Sequence, residues 1–183
     1  AFGYGPLKAR RELKRALAGY LYRAKGMFCS AERIFIVPGT SAGIELIAHV
    51  LNRGGAMAAV EDPCLEFSRN AIKRGGPGLI PVEADLFGMR TEHLPDDRNV
   101  RLVYAAPSHQ YPLGGVLPIA RRLALLDYLE RQDAYVIEDD YDSEFRYHGE
   151  PVQSLWSLND ERVIYTGSFS NVFSPSLRMA YII

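Results

Sequence analysis

The chain has 183 residues, 48% of them hydrophobic, and a formal net charge of −1. That length allows one domain with a sizeable core, and the near-zero charge gives no global attraction to nucleic acid or membrane. Two cysteines, Cys29 and Cys64, form neither a disulfide framework nor a metal-binding spacing and suit a reducing cytosol, so a cytoplasmic location is expected. No apolar stretch approaches the ~20 residues of a membrane span, and no signal peptide opens the chain.

In chain order, Arg10 to Arg23 has Leu13, Leu17, Tyr20 and Leu21 at helical spacing. Its basic run, Lys8 to Arg15, reads as a solvated helix face. Ile34 to Val37 is a short β-branched strand ended by Pro38-Gly39, and Ser41 to Leu51 is a helix with Ile44, Ile47, Ala48 and Leu51 on one stripe. A strand at Ala56 to Val60 stops at Glu61-Asp62-Pro63. A short helix, Phe67 to Arg74, leads through Gly75-Gly76 to a strand at Leu79 to Val82. Strands follow at Arg101 to Ala105, Tyr135 to Ile137 and Val163 to Thr166, and a helix at Ile119 to Arg131 has Pro118 at its start. The chain closes on Ala180-Tyr181-Ile182-Ile183, which reads as an unfinished strand, and the whole reads as a piece of a longer protein. Short apolar strands alternating with helices predict a three-layer α/β/α fold with a mostly parallel central sheet.

Sheets of that kind bind ligands beyond the carboxyl ends of their strands, and four strand ends carry polar or glycine-rich sequence. Pro38-Gly39-Thr40-Ser41 leads into a helix, where hydroxyls and free N–H groups can hold an anion, although Thr40 and Ser41 also suit plain helix caps. Pro107 to Gly115 is a rigid loop whose His109 is either a base or a hydrogen-bonding scaffold. In Glu138-Asp139-Asp140-Tyr141-Asp142-Ser143-Glu144, five carboxylates lie in seven residues. Charges this dense call for a cation, which is a metal, an arginine or a protonated ring nitrogen; a solvated acidic loop is the alternative. No histidine or cysteine cluster accompanies them, so no metal site is expected. Ser168, Ser170 and Arg178 close the set with two hydroxyls and a guanidinium suited to a phosphate.

An anion cup and a carboxylate facing a cationic end together describe pyridoxal phosphate, with its phosphate and protonatable pyridine nitrogen. Here the sequence resembles the aminotransferase-like domain of MocR/GabR-type bacterial regulators, within the fold-type-I pyridoxal-phosphate-dependent superfamily. The resemblance rests on Glu61-Asp62-Pro63, Ala106-Pro107-Ser108-His109-Gln110-Tyr111-Pro112-Leu113-Gly114, Ile137 to Tyr147 and Gly167-Ser168-Phe169-Ser170 through Ser176-Leu177-Arg178. It implies a large cofactor-binding domain across residues 1–183. It implies too that a winged helix-turn-helix domain, through which DNA is bound, precedes it in such regulators and a small domain follows. By position, Asp139 is expected at the pyridine nitrogen and Tyr141 at the ring oxygen. Thr40, Ser41, Ser168 and Arg178 are expected at the phosphate, and His109 and Gln110 in the pocket wall. The implied partners are a small amine or amino acid effector and a second copy of the chain, with no membrane.

Three positions depart from the family. Asn171 stands where the Schiff-base lysine is expected, and a carboxamide cannot capture the cofactor aldehyde; Lys8, Lys14, Lys25 and Lys73 all lie well upstream. Leu65 stands where a tyrosine usually stacks on the ring, with Phe67 nearby. Ser41-Ala42 replaces a glutamine-containing sequence in the cup. Non-covalent binding of the cofactor or its amino acid adduct is therefore the most to be expected, with turnover near nil. A natural pseudo-enzyme, an engineered lysine knock-out and a degenerate fragment all fit Asn171. An aminotransferase that has lost its lysine is the alternative function.

Overall fold

The fold was analysed in a computed structural model that describes residues 7–142, 153–170 and 174–183. Its elements are α1 (Leu7–Lys25), β1 (Phe35–Val37), α2 (Thr40–Leu51), β2 (Met57–Asp62), α3 (Glu66–Gly75), β3 (Gly78–Asp85), β4 (Gly88–Met89), β5 (Val100–Ala105), α4 (Ile119–Gln132), β6 (Tyr135–Asp140), α5 (Leu155–Leu158), β7 (Val163–Ser168) and β8 (Ala180–Ile182). The strands form one sheet in the order β1-β8-β7-β6-β5-β2-β3-β4. The ladders from β7 through β6, β5 and β2 to β3 are parallel, whereas β8 runs antiparallel to both β7 and β1, and β4 antiparallel to β3.

Each face of the sheet is covered, which makes the expected three-layer α/β/α arrangement. On one face Ile44, Ile47 and Ala48 of α2 and Ala71 and Ile72 of α3 pack on Ala58, Val60, Leu102, Tyr104 and Ile137. On the other, Leu17 and Leu21 of α1, Leu125 and Leu129 of α4 and Trp156 of α5 pack on Ala59, Val103, Val136 and Tyr165. Burial on both sides explains why these strands read as continuous apolar runs rather than as an alternation. No described helix is long and apolar enough to cross a membrane.

Some boundaries differ from the sequence reading. Helix α1 extends two residues further, to Lys25, and β3 runs on to Asp85. The largest difference is at β6, where the strand continues through Glu138, Asp139 and Asp140 with all three buried. The acidic segment therefore does not begin as a solvated loop. The basic run lies along α1, where Arg11, Lys14 and Arg15 line a groove with Ala31 and Glu32, and Lys14 sits 5.5 Å from the centroid of the Phe35 ring.

Helices α2 and α3 cross closely because α3 ends on a glycine. A β-carbon at Gly75 would lie 2.4 Å from Ala48 Cβ and 2.9 Å from backbone atoms of Glu45 and His49. Gly75→Ala is expected to force the helices apart and to cost about 1–3 kcal/mol. A lowered thermal midpoint in calorimetry checks this, and an unchanged midpoint contradicts it.

Candidate cofactor-binding site

The parallel strands bring their carboxyl ends to one rim. Register places Val37, at the end of β1, and Ser168, at the end of β7, on either side of Ala180. Arg178 lies two residues before Ala180, and its guanidinium packs on Gly39, where a β-carbon would stand 3.5 Å from Nη2. Gly39 is the N-cap of α2, with φ 95°, and no side chain caps it among the described residues. The first N–H groups of the helix are thus uncapped beside a cation, the arrangement that binds anions. Thr40 and Ser41 form the first turn and are half-buried. Arg178 itself has φ 43°, left-handed for a residue with a β-carbon, a conformation that persists where surrounding structure imposes it. Ser168 Oγ accepts the N–H of Ser170 at 3.0 Å, which turns the chain back over the rim.

The carboxylate pole lies on the same rim. Asp139 pairs in register with Thr166, two residues before Ser168 on β7. Asp139 thus sits on the strand next to Ser168, roughly 7 Å below it along the strand direction, with Arg178 and Gly39 further out beyond the ends of β8 and β1. Asp139 is 2% exposed. The Tyr104 hydroxyl donates to its Oδ2 at 2.6 Å and Thr166 Oγ1 lies 3.3 Å from Oδ1. Burial foremost pushes its carboxyl up to about 6, with Tyr104 bonding against that shift and Asp140 adding to it. Bringing a cation to Asp139 would favour its ionised form. The Tyr104 hydroxyl in turn is held well above its ordinary range, by burial and by the Asp139 charge.

The acidic cluster divides by strand alternation. Asp139 faces α2 and α3, whereas Glu138 and Asp140 face α1, α4 and α5. Glu138 accepts the backbone N–H groups of Leu155 and Trp156, both at 2.9 Å, and Asp140 is paired with Lys25 at 2.8 Å. For Glu138 and Asp140 the counter-charge thus comes from a helix N-terminus and a lysine. Among the described residues no three or more His, Cys, Asp or Glu side chains are grouped so that they could hold a metal ion.

His109 Nδ1 lies 2.5 Å from Asp142 Oδ2, and its ring stacks on Tyr141 at a centroid distance of 5.8 Å. This braces Tyr141, whose hydroxyl is raised by burial and the nearby Asp142 charge. These contacts suit a hydrogen-bonding scaffold, and the pairing with Asp142 suits a base as well. Gln110 is buried and fastens its loop, donating to Pro63 O at 2.6 Å and accepting the Leu113 N–H at 3.1 Å. Leu65, half-buried, is the N-cap of α3 and puts no aromatic ring at that place. Asn171 lies outside the described residues, as do Ser143 to Tyr147.

Sequence reasoning missed Tyr104, Thr166, Ser68 and Glu61. Tyr104 and Thr166 carried a signal, as polar-tipped residues closing apolar strands. Ser68 from α3 lies against Asp139 and Tyr104. Glu61 is wholly buried, with Oε2 accepting the Ala106 N–H at 3.1 Å and Oε1 without a hydrogen-bond partner among the described residues. Burial pushes its carboxyl up to about 7.

An open parallel sheet with a buried carboxylate and an anion cradle on one rim defines an aminotransferase-type α/β protein, and this donor set fits pyridoxal phosphate. The chain belongs to the family "Aminotransferase class I and II", whose profile matches residues 1–183. It is 37% identical over its whole length to the probable rhizopine catabolism regulatory protein MocR of Rhizobium meliloti, covering 37% of that protein. It is 36% identical over 98% of its length to the pyridoxine biosynthesis transcriptional regulator PdxR of Corynebacterium glutamicum, covering 39% of it. Aromatic-amino-acid aminotransferase 1 of Thermococcus litoralis is 30% identical over the whole chain, which covers 46% of that enzyme. Among solved structures, a Pyrococcus horikoshii kynurenine aminotransferase superposes with a TM-score of 0.85 at 30% identity, over 99% of this chain and 47% of that one. The chain thus spans less than half the length of these relatives.

Proposed function

We propose that this chain is the ligand-sensing, aminotransferase-like domain of a bacterial transcriptional regulator, and that its rim holds pyridoxal phosphate, or an adduct of it with an amino acid, without covalent capture. The observation that carries this reading is the convergence of buried Asp139 and the Arg178–α2 cradle on one rim of the sheet. When bound, the cofactor supplies an aldehyde and an electron-withdrawing pyridinium. Asp139, oriented by Tyr104 and Thr166, faces the ring nitrogen, and Tyr141, braced by His109, faces the ring oxygen. Thr40, Ser41, Ser168 and Arg178 bind the phosphate, and Ser170 shapes the turn beside them.

Asn171 has no amine to offer the aldehyde, and the same position would supply the proton-transfer base. That favours sensing over turnover, as does the likeness over nearly the whole chain to the MocR and PdxR regulators. In this reading DNA is bound by a segment belonging to the part of the relatives that this chain does not span, and two copies assemble as a dimer. The second reading, an aminotransferase deprived of its lysine, is favoured by the 30% identity to the aromatic-amino-acid enzyme.

Absorbance titration with pyridoxal phosphate tests the proposal. The chain is expected to show saturable binding without the long-wavelength band of a lysine-bound cofactor. Asn171→Lys is expected to create that band. A chain and a variant that both fail to bind would defeat the reading.

A further inference from the structure

Asp139 and Asp140 are consecutive, yet they face opposite sides of the sheet, and Asp140 has its own cation. Lys25, the last residue of α1, places Nζ 2.8 Å from Asp140 Oδ2, and the Tyr165 hydroxyl donates to the same oxygen at 2.5 Å. The lysine and aspartate side chains are 11% and 4% exposed, and Nζ lies 5.9 Å from the centroid of the Tyr165 ring. A helix C-terminus favours a cation there, but a buried ammonium still loses much of its hydration and persists because it is paired.

What the pair does is electrostatic. Two carboxylates on successive residues in a low-dielectric interior each disfavour the other's ionisation. A neutral Asp139 is a poor partner for a protonated ring nitrogen, so the charge on Asp140 matters to the rim even though its side chain points away. We propose that Lys25 is a positioning residue for the cofactor site: it neutralises Asp140 so that Asp139 stays ionised toward a protonated ring nitrogen. This rests on the pyridoxal phosphate reading of the rim.

The groups around the two aspartates support that assignment. Asp139 meets the hydroxyls of Tyr104 from β5, Thr166 from β7 and Ser68 from α3, and the buried Glu61 carboxyl of β2 and the Tyr141 hydroxyl also act on it through their charge. Asp140 meets Lys25 from α1 and Tyr165 from β7, with Glu138 on its own strand and Tyr181 of β8 beyond Tyr165. Glu138 is held by the α5 N–H groups, with Arg122 of α4 near it. Lys25 is a cation in direct contact with Asp140.

The test is a carbon-13 NMR titration of the aspartate carboxyls in the purified protein without cofactor, with the Asp139 resonance assigned by its loss in Asp139→Asn. Lys25→Met is expected to raise the Asp139 midpoint by about one pH unit, and Lys25→Arg, which keeps the charge, to leave it close to the parent value. Should Lys25→Met fail to fold, Asp140→Asn carries the same test with the opposite sign, because removing the neighbouring negative charge lowers the Asp139 midpoint. An Asp139 midpoint that stays put in a folded Lys25→Met or in Asp140→Asn overturns the proposal. So does an equal rise in Lys25→Met and Lys25→Arg, which would mark a structural role. No cofactor enters the measurement, so its failure is distinct from a failure to bind pyridoxal phosphate.

Discussion

Replacing Arg178 with alanine is expected to weaken pyridoxal phosphate binding roughly thirtyfold while leaving pyridoxal, which has no phosphate, almost unaffected. The guanidinium lies against Gly39 at the uncapped start of α2, where it and the helix N–H groups would share the phosphate oxygens. A hydrogen bond to a charged group contributes about 1.5–3 kcal/mol, and a thirtyfold change in Kd corresponds to about 2 kcal/mol. The value belongs near the lower end because Arg178 is exposed and solvent and salt screen it. Binding to the parent should therefore weaken with added salt more steeply than binding to the variant. The fold should not suffer, since the side chain belongs to neither hydrophobic layer. Fluorescence or absorbance titrations with both ligands decide the matter. An equal loss for pyridoxal and its phosphate would mean that Arg178 acts on the shape of the rim rather than on the phosphate.

The fold was legible because a doubly covered sheet writes its strands as short apolar runs. Ala56 to Val60 and Tyr135 to Ile137 need no alternation when helices close both faces, and the rim could be located from where those runs stop. What was hidden depends on contacts distant in sequence. Nothing local to Glu138-Asp139-Asp140 says strand, because charged residues close a run only when partners arrive from elsewhere. Here the partners are Tyr104, 35 positions from Asp139, and Lys25, 115 positions from Asp140. The N–H groups of α5 do the same for Glu138, and that helix is four residues long, too short for a periodic signal. The two-residue strand β4 is invisible for the same reason. The anion cradle was half legible. The sequence Pro38-Gly39-Thr40-Ser41 marks a helix start, but the choice between hydroxyl caps and an open N-terminus turns on Gly39 taking the cap position and on Arg178 arriving beside it. Lysine was sought near Asn171 in sequence, and the lysine that does reach the acidic segment comes from α1, on the opposite face of the sheet from Asp139.

Glu61→Gln is expected to stabilise the protein at pH 8 and to leave it unchanged at pH 4. Glu61 is fully buried, and burial is the leading reason its carboxyl rises from 4.5 to about 7. The Ala106 N–H, with Met89 N–H and Gln110, favours the ion against that burial, but Oε1 has no hydrogen bond of ordinary geometry among the described residues. With the folded value above the unfolded one, the native state holds more protons between them. Its contribution to stability is complete below pH 4.5, declines as pH rises toward 7 and is level beyond. A displacement of that size corresponds to about 3 kcal/mol at full development, or roughly 6–12 °C in thermal midpoint for a chain of this length. Glu138 and Asp139 rise for the same reason, burial, so the variant keeps a slope of its own, and the difference between the two stability curves isolates Glu61. Glutamine keeps the acceptor for Ala106 and carries no charge to desolvate, which is why the gain should appear only where glutamate is ionised. The Ala106 contact anchors the segment that leads into the Pro107 to Gly115 loop. Denaturant unfolding of both proteins from pH 4 to pH 8 measures the difference. Parallel curves across that range would mean that Glu61 titrates in the fold as it does in the unfolded chain, with Ala106, Met89 and Gln110 offsetting its burial, and the pH dependence would then have to come from Asp139 and Glu138 alone.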